Sequence, residues 1–394
     1  MCPLKSPRWW TVASRLGLLI GGLLVGLFLG ELAARVIRPA GNSDLLFNSP
    51  DASPPGLYQR DTALLLVPTP GFQATARSLG YAVPIRINRL GMRGPEPEAV
   101  AEVARWLTIG DSFTFSIQVP EEQTFIGRLS AERKEHFWNA GVDGYSTWQA
   151  LDRYKGLRSS SGSSAVLLLF FLGNDLQDNE RWPIQKAEMD RPPPAPPAGA
   201  TRTAGGPPRP PEIRQGPPPL QWWKSILLKN SYLYAHLRVW SRARELATGR
   251  DPSIQRWGDE LSIYTRSGAP RLAALIQKSE APLRALAEEA ARNGDQLLVA
   301  VAPPAFVVDQ RRVEPTFKVV GLDPATATLD APALAVWELL KRTGISACDL
   351  TLALRAGQES ASTRGDAMYL TYDGHWTQAG HAVVAEELQR CLQR

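Results

Sequence analysis

Arg105-Trp-Leu-Thr-Ile-Gly-Asp-Ser-Phe-Thr114 is a short apolar run that stops at a glycine and passes at once into a serine. A continuous apolar run of this length suits a strand buried on both faces of a parallel sheet. Two further runs share the character: Ala165 to Leu172 (AVLLLFFL), bounded by Ser and Gly, and Gln296 to Ala302 (QLLVAVA), stopped by Pro303 and Pro304. Helical periodicity fills the intervals at Thr124 to Lys134, Thr147 to Leu157, Arg271 to Arg292, Ala333 to Thr343 and Thr377 to Leu392. Strand alternating with helix predicts an α/β fold, a sandwich of helices around a central parallel sheet.

Outward from this core the chain changes character. Residues 16–30 read LGLLIGGLLVGLFLG without a charge, and about 20 such residues at 1.5 Å each cross a bilayer core. Arg15 can reach one interface, and Trp9 and Trp10 suit the headgroup belt. A cleaved signal peptide is the rival reading, with Lys5 and Arg8 as its basic region. Glu31, Arg35 and Arg38 stand where its small-residue cleavage site would be, which favours an uncleaved anchor. Lys5, Arg8 and Arg15 before the span, against Arg35 and Arg38 after it, favour a cytoplasmic stub and an exported domain. Residues 1–38 are therefore expected to be stub and transmembrane anchor. Residues 39–100, punctuated by Pro50, Pro54, Pro55, Pro68 and Pro70, are expected to be an irregular approach, with Ala82 to Asn88 alternating like a strand. Residues 101–394 are expected to form the α/β domain, interrupted by an insertion at about 183–262. Twelve prolines at 191–219 preclude a packed core there, and the aromatic helical stretch 220–262 either caps the site or packs on the sheet edge.

Composition excludes some classes. The 394 residues are 44% apolar and carry a net charge of +5 with the basic residues scattered, so no nucleic-acid footprint stands out. Three cysteines offer no metal-ligand spacing, so neither a metal nor another cofactor is expected. Cys348 and Cys391 are a disulfide candidate in an exported domain, and two buried thiols otherwise.

The chemistry concentrates at strand ends. After the first strand, Gly110 permits a tight turn and Ser112 opens the next helix, whose unpaired N–H groups can hold an oxyanion. Asn139-Ala-Gly-Val-Asp-Gly144 supplies a backbone N–H at Gly144. Asn174, after the most apolar strand, supplies an amide donor. A serine needs a base, and the base an orienting acid. Of four histidines, only His375 has a carboxylate close by at a loop-like position, Asp373. His381 falls inside the last helix pattern, away from such a role. Asp111 and Asp175 read as turn-fixing residues that accept local backbone hydrogen bonds.

These blocks, GDSFT, NAGVDGY, LGNDLQDN and YDGHW, resemble those of the SGNH (GDSL-type) hydrolases, in order, over about residues 84–394 with 180–262 unmatched. The resemblance implies a three-layer α/β/α sandwich of flavodoxin-like kind, with about five parallel strands. It implies Ser112 as nucleophile, His375 as base and Asp373 as its orienter. The oxyanion hole would comprise the Ser112 N–H, the Gly144 N–H and the Asn174 side chain. Only Gly374 separates Asp373 from His375, where many members have two residues. That form is similar to the SGNH-like domains of polysaccharide O-acetyltransferases, including the alginate O-acetylation proteins. Three functions follow as expectations: an esterase acting on an acyl or acetyl ester of a lipid, glycan or small molecule; an O-acyltransferase that needs a membrane acyl-donor partner; or a silent scaffold.

Overall fold

The computed structural model describes residues 8–37, 53–100, 104–191, 222–247, 253–362 and 367–393; the proline-rich stretch at 192–221 lies outside them, as does 38–52. Helix α1 (Arg8–Val36) contains a stretch, Val12–Val36, of mean hydropathy 2.1 that is exposed along almost all its length, so it is long and apolar enough to cross a membrane.

The approach segment is not irregular. Strands β1 (Tyr58–Asp61) and β2 (Leu65–Pro68) pair antiparallel, and β3 (Gln73–Ser78) pairs with β4 (Tyr81–Arg86). Alternation in β3 and β4 turns Ala76, Val83 and Ile85 inward, where they bury against Phe115 and Ile117. Pro84 is tolerated because a two-stranded ribbon consists only of edge strands.

The core follows in chain order: β5 (Ala104–Gly110), α2 (Ser112–Phe115), α3 (Phe125–Glu132), β6 (Glu135–Asn139), α4 (Thr147–Ser161), β7 (Ala165–Phe171) and α5 (Asp175–Met189). The insertion contributes α6 (Trp222–Asn230), α7 (Tyr232–Ala247) and α8 (Ser253–Ser262). Then come α9 (Ala269–Arg292), β8 (Gln296–Ala302), α10 (Ala305–Val308), α11 (Val313–Val319), α12 (Ala331–Arg342), β9 (Ser346–Asp349), α13 (Thr351–Ser362) and α14 (Gln378–Cys391). The five-stranded sheet has the order β6-β5-β7-β8-β9, and every pair in it is parallel.

Alternate residues of each strand enter opposite layers. Val166, Leu168 and Phe170 pack with Leu151 and Tyr154 of α4, Leu283 of α9 and Leu339 of α12. Ala165, Leu167 and Leu169 pack with Leu129 of α3, Leu354 of α13 and Leu388 of α14. The three-layer sandwich is thus a direct product of the apolar runs, since a strand buried on both faces needs helices on both. Each fully buried leucine there contributes about 1.5–3 kcal/mol. The Cys348–Cys391 disulfide ties β9 to α14 across 43 residues.

This order has a consequence for function. The chain leaves β5 toward β6 on one side and returns to β7 on the other, so the topological switch point lies between β5 and β7. Open α/β sheets bind ligands at the carboxyl ends of the strands beside such a point. Ser112 follows β5 directly, and Asn174 follows β7.

α1 does not stand apart from the domain. Glu31 accepts from Ser231 Oγ at 2.8 Å and from the Tyr232 and Leu233 N–H groups at 3.0 Å each. It thereby caps the N-terminus of α7, which a carboxylate suits in both hydrogen bonding and helix dipole. His236 Nε2 meets the Ala34 carbonyl at 3.2 Å one turn further on.

Candidate active site

The turn after β5 is shaped by what cannot fit in it. Gly110 has φ 144°, and a Cβ there would stand 2.4 Å from Thr114 Oγ1 and 2.7 Å from the Leu169 carbonyl oxygen. Only glycine occupies that position without displacing β7. Asp111 caps the turn by accepting from the Phe113 N–H at 2.9 Å. Asn139 at the end of β6 braces it from the other side, donating from Nδ2 to the Thr114 carbonyl at 2.9 Å. A Cβ on Gly141 would lie 2.5 Å from the Phe115 nitrogen, so the glycine block lets the two strand ends approach.

On this turn, Ser112 Oγ lies 2.7 Å from His375 Nε2, and His375 Nδ1 lies 2.5 Å from Asp373 Oδ1. The three residues sit 263 and 2 positions apart in sequence, and the fold joins them in one relay. The Phe113 ring lies against the imidazole, with centroids 4.6 Å apart, and stacks on Phe171 at 3.9 Å.

Asn174 lines the same cavity as Ser112 and His375, which has a volume of about 270 Å³. Its Nδ2 donates one proton to Asp178 Oδ2 at 2.5 Å, which orients the amide and leaves a second proton for a ligand. Gly144 lies on the turn beyond β6, at the same edge of the sheet, but is not among the cavity's lining residues. Burial pushes Asp178 above the usual carboxylate range, against the pull of Asn174 and Arg181.

The electrostatics single out His375. Burial alone would lower its pKa, but the Asp373 charge and hydrogen bond, with Asp111 and Asp143 behind them, hold it up to about 9. Asp373 shows the converse. Burial pushes it up, and His375 together with the Tyr81 hydroxyl outweighs that and holds it below the usual range. Burial also pushes Asp111 up to about 7 and, with the Asp111 charge beside it, Asp175 well above the carboxylate range. Both carboxyls serve their turns, since Asp175 Oδ2 accepts from the Phe171 N–H at 2.8 Å. His381 is a core residue. Its Nδ1 accepts from the Phe125 N–H at 3.2 Å, and burial drives its pKa down to about 3.

Several residues of the site escaped sequence reasoning. Tyr81, at the start of β4, donates to Asp373 Oδ2 at 3.0 Å, and Gln118 Nε2 donates to Asp373 Oδ1 at 3.1 Å. Arg93, 2% exposed, donates to the Phe115 carbonyl at 2.8 Å, to the Val119 carbonyl at 2.7 Å and to the Ser116 carbonyl. It therefore fixes the loop that carries Gln118. The insertion supplies a wall of the cavity in Arg256, Trp257, Glu260 and Leu261, opposite Phe306. One signal was available: Tyr81 opens the alternating stretch at 82–88. Nothing local marks Gln118.

Residues 264–394 match the family described as SGNH hydrolase-like domain, acetyltransferase AlgX. That match holds Asp373 and His375, while Ser112, Gly144 and Asn174 lie ahead of it. Over residues 264–394 the chain is thus similar to an SGNH hydrolase-like domain. It is similar to a catalytic mutant of Axe2, an acetylxylan esterase from Geobacillus stearothermophilus, at 14% identity and TM-score 0.36, covering 75% of this chain and 96% of that one. It is similar also to a putative lipolytic protein of the G-D-S-L family from Desulfitobacterium hafniense, at 11% identity and TM-score 0.35, covering 73% and 99%. A GDSL-like lipase from Bacteroides thetaiotaomicron gives 11% identity and TM-score 0.36, covering 75% and 93%. No curated protein matches the chain.

Proposed function

We propose that this chain is a serine-dependent ester hydrolase that works through an acyl-enzyme at Ser112. The observation that carries the reading is the relay from Ser112 Oγ through His375 to Asp373, at 2.7 and 2.5 Å. In this reading His375 Nε2 takes the hydroxyl proton as Oγ attacks the acyl carbon, and Asp373 holds Nδ1–H and stabilises the imidazolium. The Ser112 N–H, the Gly144 N–H and Asn174 Nδ2 receive the oxyanion. The C–O bond to the alcohol breaks, and His375 returns the proton to the departing oxygen. Water then enters, loses a proton to His375 and releases the acid. A base held near 9 is mostly protonated at neutral pH, so kcat/KM rises with pH through that range.

The test is labelling of the full chain with a fluorophosphonate, with the adduct located by mass spectrometry. Label confined to Ser112 and absent from Ser112→Ala is the expected result. A folded chain that takes no label overturns the proposal in favour of the silent scaffold.

A second reading is favoured by the match to a family described as an acetyltransferase and by the single residue between Asp373 and His375. There a sugar hydroxyl replaces water in the second half-reaction, and a membrane partner supplies the acyl group. Acceptor-dependent decay of a preformed acyl-Ser112 distinguishes transfer from hydrolysis.

We infer further that α1 stays attached and holds the domain on the exported face. The basic residues ahead of the span support that orientation, and the Cys348–Cys391 disulfide supports an oxidising compartment. Protease added from outside should then cleave the domain in intact cells or spheroplasts. Protection would place the domain in the cytoplasm.

A further inference from the structure

A cavity of about 630 Å³ lies away from Ser112, at the foot of α1. Its walls are the last turn of α1, the tip of the β3–β4 hairpin, the start of α7, the back of the loop that carries Asp373, and the first turn of α14. These walls belong together because Glu31 caps α7 and His236 meets the Ala34 carbonyl, which fix the foot of α1 against the domain.

The lining is of one sign. Arg35 and Arg128 enter it, and no Asp or Glu among the described residues does. Arg35 spends its Nε on Glu31 and lies over the Tyr232 ring at 5.4 Å. Arg128 spends its Nε on the Gln123 carbonyl at 3.2 Å, and its two Nη groups have no protein partner among the described residues. Ile37, Leu79 and Leu370 make the remaining lining partly apolar. The height of the cavity fixes what can reach it. Nineteen residues separate Arg15 from Arg35. At 1.5 Å each they span about 30 Å, the thickness of a hydrocarbon core, so Arg35 stands at the level of lipid phosphates.

We propose that this cavity binds the headgroup of an anionic membrane phospholipid, with Arg35 and Arg128 on its phosphate and the apolar lining against its glycerol. The proposal rests on the reading of α1 as an uncleaved anchor and is independent of the catalytic assignment.

The full chain would be reconstituted in nanodiscs of mixed phosphatidylglycerol and phosphatidylcholine, released, and weighed by native mass spectrometry. One retained phosphatidylglycerol per chain is expected. Arg128→Gln and Arg35→Gln should each lower that retention about fivefold, the order expected for one basic residue at a membrane surface. Ala382→Glu, which adds a carboxylate to the lining and leaves both arginines, should lower it too. Unchanged thermal melting of at least one of the three variants separates loss of lipid from loss of fold. Retention without headgroup preference, or undiminished in the variants, overturns the proposal. Inorganic phosphate displacing the lipid at millimolar concentration would assign the site to a soluble anion and overturn the lipid. An intact mass lacking α1 would overturn the proposal together with the anchor reading, while fluorophosphonate labelling of Ser112 would stand untouched.

Discussion

The two walls of the cavity at Ser112 are built on different foundations. One wall holds Ser112, Phe113 and Asn174 at the ends of β5 and β7, whose residues are buried on both faces. The other holds Arg256, Trp257 and Glu260 on α8, the last helix of the insertion. α8 is tied down by Leu261, the one described residue of the helix buried in the core, and by ion pairs: Arg181 to Glu260 at 3.2 Å, and Arg271 to Asp259 at 2.9 Å. Such partly exposed pairs contribute about 0–1 kcal/mol each, against about 1.5–3 kcal/mol for a buried leucine of the sheet. Groups that must hold the relay to a fraction of an ångström stand on the stiff wall. The adjustable wall suits the selection of substrate. The difference predicts that substitutions on the first wall slow the chemistry and substitutions on the second change which ester is accepted.

The largest effect tests the relay itself. Asp373→Asn should lower kcat about 10⁴-fold, because the amide stabilises the wrong imidazole tautomer and no imidazolium. The pH profile gives an independent reading. Asp373 does most to hold His375 up to about 9, and with it gone only Asp111 and Asp143 oppose the burial that pulls it down. The rising limb of kcat/KM should therefore move to lower pH. A limb left near 9 in Asp373→Asn would show that Asp111 and Asp143 set the pKa, and would demote Asp373. Asn174→Ala comes next, with a loss of about 10²–10³-fold in kcat and little change in KM if its amide meets the oxyanion. A loss confined to KM would place Asn174 on the substrate and off the transition state.

Tyr81→Phe reaches the same relay from outside the sandwich. It removes one of three side-chain hydrogen bonds to Asp373 and leaves the ring in place. A hydrogen bond to a charged group contributes about 1.5–3 kcal/mol, so a loss of roughly tenfold in kcat is expected. Asp373 stripped of this donor holds its proton partner more tightly, and the rising limb should shift to higher pH. A purely structural tyrosine would lower the rate without moving the limb.

Tyr81 also marks the limit of what could be read from the chain. The runs at 105–110, 165–172 and 296–302 were legible because strands buried on both faces are almost wholly apolar, and of polar residues only Thr108 falls inside any of them. Ser112, Asn174, Asp373 and His375 were legible because each stands where a strand or loop pattern breaks, with its chemistry written in its own side chain. The hairpins at 58–86 were obscured by short strands and by Pro68 and Pro84, which argue against strand on local grounds. β9 (Ser346–Asp349) is four residues long, and a pattern of that length carries no period. Gln118 meets Asp373 across 255 residues of sequence, and Tyr81 does so across 292. Contacts of that kind are created by topology, and no window along the chain contains them.

The smallest expected effect bears most directly on the two walls. Trp257 is part of the cavity lining, half-buried on α8, with the Arg242 guanidinium 5.6 Å from its ring centroid. Trp257→Ala should raise KM for a bulky ester several-fold, since an aromatic contact is worth about 0.5–1.5 kcal/mol beyond area burial. It should leave the rate of Ser112 modification by a small fluorophosphonate unchanged, because that reagent needs the relay and not the wall. Trp257→Phe should recover most of the lost KM. If Trp257→Ala instead slows labelling as strongly as Asn174→Ala, the walls are not independent. The route is visible in the structure: Glu260 binds Arg181, Arg181 binds Asp178 at 3.2 Å, and Asp178 accepts from the Asn174 amide. Loosening α8 would then free the amide that orients the oxyanion, and the insertion would belong to the catalytic machinery as well as to selection.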